Sequence, residues 1–161
     1  ITYIFSKVPN AFRYGVCAII AMVHDVAVVF SVVGIGARLF DWQIDALFLT
    51  ALLTVIGFSV QDKVVVFDRI REYVRDHKRE PQVVVFNKAI NSTLSRTLNT
   101  GVCTLLVLVI IFLFGGVSIK GFVFGLFFGT LVGTYSSIFV ASAVAVDLLT
   151  SKERKAGRVA A

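Results

Sequence analysis

The chain has 161 residues, 57% of them hydrophobic and 16% charged, with a net charge of +6. Its mean hydropathy is +0.87. This composition excludes a disordered chain and argues against an ordinary soluble domain. The cations cluster at the ends of apolar runs, not on one soluble face, which argues against a nucleic-acid partner.

Residues 1–5 read as the tail of a helix that begins upstream, and no cleavable signal peptide is recognisable. Four complete spans follow, each near the usual length of about 20 residues. The first covers about 14–36 and carries His24-Asp25 at its middle. The second covers about 44–67, with Asp62 and Lys63 toward its far end. The third follows Arg96 and is uncharged from Thr97 to Ile119, with Gly115-Gly116 expected to end it. The fourth is uncharged from Gly121 to Val146. Residues 1–150 are therefore expected to form one all-α membrane domain, and 151–161 a basic cytoplasmic tail. Cys17 and Cys103 sit in apolar segments without metal-ligand spacing, and read as buried free thiols.

Charge asymmetry sets the orientation. Lys7 and Arg13 precede the first complete span, and Arg69, Arg71, Arg75, Lys78, Arg79 and Lys88 lie between the second and third. Lys152, Arg154, Lys155 and Arg158 follow the fourth. Alternating crossings put all three groups on one side, which is cytoplasmic by the positive-inside rule. The connection at about 68–95 is helix-compatible up to Pro81. After it, Val83, Phe86, Ile90 and Leu94 recur at helical spacing. That pattern fits an amphipathic helix lying at the membrane surface, or a solvated helical hairpin.

Gly121, Gly125, Gly129 and Gly133 recur every four residues, and Ser137, Ala141 and Ala145 continue the series. Such a ridge lets membrane helices approach closely. The ridge reads as packing, with a smooth surface for sliding as the functional addition.

Charges within a span are costly, and Asp62 is the hardest to explain. It lies about 9 Å inside Asp68 by helical rise. Lys63 has a stem long enough to reach the membrane surface, whereas Asp62 needs a partner or water. Arg96 opens the next span on the same side, with Asn99, Thr100 and Cys103 on its face. The two residues fit either a structural ion pair or a proton-accepting carboxylate tuned by a guanidinium. His24 and Asp25 fit either a proton relay or hydrogen-bonded structural groups. There is no paired-histidine metal site, nucleophile elbow or Walker sequence, so neither a catalytic centre nor a cofactor or metal is expected.

The run Gly57-Phe58-Ser59-Val60-Gln61-Asp62-Lys63-Val64-Val65-Val66-Phe67-Asp68-Arg69-Ile70-Arg71-Glu72 resembles the signature of the SecD/SecF protein-export family. So does Met22-Val23-His24-Asp25-Val26. The segments 93–100, Phe114-Gly115-Gly116 and 133–138 resemble the SecF branch more than the SecD branch. The resemblance implies half of an RND-type helical bundle, from the end of span 2 through span 6. It implies that the first span and an extracytoplasmic domain precede this region. The implied function is proton-motive-force-driven protein translocation across the inner membrane, with a SecD-like subunit, the SecYEG channel and YajC- or YidC-type proteins as partners. Asp62 then matches the proton-carrying carboxylate and Arg96 its regulating arginine. Two other classes stay open, a structural assembly subunit with a static Asp62–Arg96 pair and an RND-type exporter of small molecules or lipids. The family's usual Asn-Asp-Thr is Gln61-Asp62-Lys63 here. An inward Lys63 would hinder protonation of its neighbour, and one at the surface would not.

Overall fold

The computed structural model describes residues 11–40, 46–77 and 80–147. The expected leading helix fragment at 1–5, the cations Lys7, Lys78 and Arg79, and the basic tail lie outside them. Four helices among the described residues are long and apolar enough to cross a membrane. They are α1 (Ala11–Phe40), α2 (Ala46–Asp76), α3 (Gln82–Phe114) and α4 (Val117–Tyr135). The path of α4 continues through a π-helical turn, Ser136–Val140, to Asp147.

Each helix outruns its apolar stretch. α2 carries its span onward into the charged run that ends at Asp76, and α3 begins 14 residues before Arg96. The amphipathic segment and the third span are thus one uninterrupted helix of 33 residues, about 50 Å long. That is the hairpin alternative. A helix lying on the surface would have to break before the span, and α3 does not. The buried stripe is also displaced from the expected one. Val85, Phe86, Ala89, Thr93 and Thr97 face inward, while Val83 is exposed. Pro81 stands just before α3, where its missing N–H costs nothing. Gly115 and Gly116 separate α3 from α4. A Cβ on Gly115 would lie 2.4 Å from the Ile111 carbonyl oxygen, which accepts the Gly115 N–H at 2.7 Å.

Two apolar clusters hold the bundle. At the basic end, Tyr14, Cys17 and Ala21 of α1 meet Val66, Phe67 and Ile70 of α2, Phe86 and Ala89 of α3, and Ala141 and Ala145. Tyr14 and Phe67 touch edge to face with centroids 6.0 Å apart. At the other end Val29 and Val33 pack with Phe48 and Val55. Cys17 is buried as expected, but Cys103 is exposed on the outer side of α3.

The glycine ridge of α4 lies against α2. A Cβ on Gly125 would meet Ala51 at 3.6 Å, one on Gly129 would meet Val55 at 2.1 Å, and one on Gly133 would meet Ser59 at 3.3 Å. The partners on α2 step by four residues in the same direction, so the two helices run parallel with one ridge seated on the other. Gly121, at the far end, is only half-buried.

Two measurements follow from this packing. Gly129→Ala is expected to destabilise the folded protein by about 1–3 kcal/mol through overpacking. Adding Val55→Ala should recover part of that loss, and Gly34→Ala, which meets nothing within 4 Å, should change little. Thermal unfolding in detergent reads all three. At the hairpin tip, Lys88 donates to both oxygens of Glu80 at 2.9 and 2.8 Å. This hydrogen bond holds the Glu80 carboxyl below its ordinary range. Its contribution is therefore present above the ordinary glutamate range and lost as pH falls through the lowered value. The protection of amides near residues 80–88, measured against the intrinsic exchange rate at each pH, should fall on acidification, and Glu80→Gln should remove that dependence.

Candidate functional site

α1 and α2 are antiparallel neighbours, and their facing charges meet in the middle of the bundle. Asp25 is 1% exposed and Lys63 is 1% exposed. The Lys63 ammonium donates to Asp25 Oδ2 at 2.5 Å, and also to the Ser59 hydroxyl. Ser59 in turn donates to Asp25 Oδ2. His24 Nδ1 lies 3.2 Å from Asp25 Oδ1, with its ring partly exposed. Every charge in this cluster has an opposite or polar partner, as a buried ion pair requires.

Of the two orientations open to Lys63, inward and surface-reaching, this geometry is the inward one. The side chain turns inward, because Asp25 supplies the counter-charge and the small Ser59 leaves room for its stem. The signal was present in the sequence. An acid at the middle of one span and a cation in the next balance each other, and Ser59 precedes Lys63 by one helical turn.

Asp62 takes the other shoulder of α2, about 100° from Lys63. It is 7% exposed, and its Oδ2 has no hydrogen-bond partner among the described residues. Lys63 and Arg96 are the cations within electrostatic reach. Asp62 and Arg96 do not form an ion pair, and Arg96 is exposed on α3. The static clamp considered from sequence is therefore not the arrangement in this structure. Two further buried oxygens have no partner among the described residues, Thr134 Oγ1 and Ser136 Oγ. Sequence reading passed over both because they sit beside the glycine ridge, and small hydroxyl residues are ordinary there.

The described residues contain no cluster of His, Cys, Asp and Glu that could hold a metal ion. A groove of about 900 Å³ lies between the basic end of α3 and the stretch after Tyr135, away from the charge cluster. It is lined by Val84, Ile90, Leu94, Phe139 and Val146 among others. Chemically, the site offers one compensated ion pair and, on the adjoining face, a carboxylate with no ion-pair partner among the described residues and one oxygen without a hydrogen bond.

Helices of this length and apolarity, closed around an ionic cluster, define a polytopic α-helical membrane protein. The chain belongs to the SecD/SecF protein-export family. The family described as "Protein export membrane protein SecD/SecF, C-terminal" matches residues 2–151. The chain is 57% identical over 143 residues to protein translocase subunit SecF of Anaerolinea thermophila, covering 88% of this chain and 46% of that one. It is 50% identical over 147 residues to the SecF subunit of Thermobaculum terrenum, covering 91% and 46%. A crystal structure of SecDF in a super-membrane-facing form superposes with a TM-score of 0.83 at 36% identity, over 98% of this chain and 21% of that one. The chain thus spans about half the length of the SecF relatives it matches.

Removing one partner of the buried pair should cost far more than removing both. Lys63→Met leaves Asp25 uncompensated and should destabilise by about 3–5 kcal/mol, whereas Asp25→Asn with Lys63→Met should restore most of it. Unfolding of the purified full-length protein in detergent, compared as a double-mutant cycle, tests this coupling.

Proposed function

We propose that this chain is the membrane region of a SecF-type translocase subunit, and that Asp62 gains and loses protons to couple an ion gradient to protein export. The observation that carries the reading is the contrast between adjacent residues. The charge of Lys63 is matched by Asp25, while the carboxylate of Asp62 is buried with one oxygen unpartnered. With its charge matched by Asp25, the inward Lys63 opposes protonation of Asp62 less than an unpaired ammonium would, and a change of charge at a helix interface can shift that interface. Arg96, within reach but unpaired, biases the two protonation states.

The outer faces support a partner. Gln61, Thr50 and Thr54 of α2, with Arg96, Asn99 and Thr100 of α3, are exposed within helices of membrane-crossing length. Polar groups at bilayer depth face protein or water rather than lipid. We assign this face to a SecD-like half-bundle. The assembly works beside a SecYEG-type channel in the inner membrane, with the basic loops in the cytoplasm. YajC- and YidC-type proteins are candidate neighbours.

The reading is tested with the full-length subunit and its SecD-like partner in membrane vesicles. Asp62→Asn should lower gradient-dependent export about tenfold or more while the complex still assembles. Export that keeps its full gradient dependence in Asp62→Asn would exclude the role.

A further inference from the structure

A fully buried lysine within a membrane-length helix is costly and calls for a reason. Lys63 lines a crevice of about 310 Å³ between α1 and α2, together with Gly15, Ala18, Met22, Val60 and Val64. The other residues lining it are all apolar, so the crevice suits the methylene stem and not a hydrated ion. The ammonium itself meets oxygens. It donates to Asp25 Oδ2 at 2.5 Å and to the Ser59 hydroxyl, and Ser59 donates to the same Oδ2. Carboxylate, hydroxyl and ammonium thus form a closed triangle, with Asp25 and Lys63 each 1% exposed and Ser59 0%.

Carboxylate and hydroxyl oxygens are hard ligands, the kind that hold alkali and alkaline-earth cations. An ammonium carries the same single positive charge as a sodium or potassium ion, but here it is tied to the chain and cannot leave. With Lys63 in place, its charge and that of Asp25 cancel, and the pair has little attraction for a second cation. His24 Nδ1 lies 3.2 Å from the other Asp25 oxygen. Asp62, on the adjoining face, keeps one oxygen without a partner among the described residues. A proton needs one lone pair on that oxygen. A hard metal cation needs several oxygens at once, and the neighbouring carboxylate and hydroxyl are committed to Lys63. Lys63 and Arg96, the cations in reach of Asp62, oppose any further positive charge. A proton offsets that opposition with a covalent O–H bond, whereas an alkali ion gains only electrostatic contacts.

We propose that Lys63 is the ion-specificity residue of this subunit. Its ammonium is a tethered cation that fills a monovalent-cation site built by Asp25 and Ser59, and so closes that site to sodium and potassium and leaves export responsive to protons alone. The cation site stands on the geometry of Asp25, Ser59 and Lys63. Its consequence for export rests on the assignment of Asp62 as the proton carrier.

The test uses the full-length subunit assembled with its SecD-like partner, and compares sodium chloride with choline chloride at equal ionic strength, choline being too large for the site. Lys63→Ala removes the tethered cation and keeps Asp25 and Ser59. Its unfolding temperature in detergent should rise by about 3 °C in sodium, the shift expected at ten times the dissociation constant. The wild type, and Lys63→Ala combined with Asp25→Asn, should shift by less than about 1 °C. In vesicles, wild-type export should run at one rate in both salts. Export by Lys63→Ala should run about tenfold faster in sodium, the ratio of filled to empty sites at that concentration. Indifference of Lys63→Ala to sodium in both measurements, with Asp25 simply taking a proton, overturns the proposal. Failure of Lys63→Ala to fold in either salt also overturns it, because a small cation should stand in for the ammonium. A sodium shift that persists in the double variant places the cation elsewhere and overturns it as well, as does wild-type export that requires sodium. If Asp62→Asn retains gradient dependence, the carrier assignment falls and the consequence for export falls with it, while the sodium shift of Lys63→Ala still decides the cation site.

Discussion

The Asp25–Lys63 pair is the interaction around which the middle of the bundle is organised. Two full charges buried within membrane-length helices persist only as partners, and here Ser59 adds a hydroxyl to each. Because Lys63 must reach α1, the rotation of α2 about its axis is set at that level. Asp62, one residue earlier, is thereby turned toward the opposite shoulder. The pair thus does two things at once. It ties the first two helices together, and it keeps a strong cation occupied beside a carboxylate that has no such partner.

The glycine ridge acts on the same layer from the other side. Val55 sits where a side chain on Gly129 would be, and Ser59 fills the equivalent position opposite Gly133. Close parallel contact brings the π-helical turn and its hydroxyls to the depth of the charges. Packing and polarity are consequently not separate features of this seam.

Much of this could be read along the chain. The helical class, the glycine break between α3 and α4, the buried Cys17 and the singular position of Asp62 all follow from hydropathy and charge. The length of α2 and α3 was less legible, because their polar ends carry no apolar signal and are helical through contact with each other and with α1. Asp62 and Arg96 lie near one another yet unpaired, a distinction that linear spacing does not resolve. The chain alone leaves Lys63 open between inward and outward, because a long stem near a span's end can reach the surface in isolation. In the bundle, a carboxylate from another helix is nearer than the surface.

By itself the amino-acid order determined that the chain crosses a membrane, which ends are basic, and that one acid lies where acids are costly. These depend on composition and period, which are local properties. Only the tertiary structure decided which charges meet, since α1 and α2 contribute them from positions 38 residues apart. Helix rotation and register select the partner of a buried ion, and both are settled by side-chain packing between helices rather than within them.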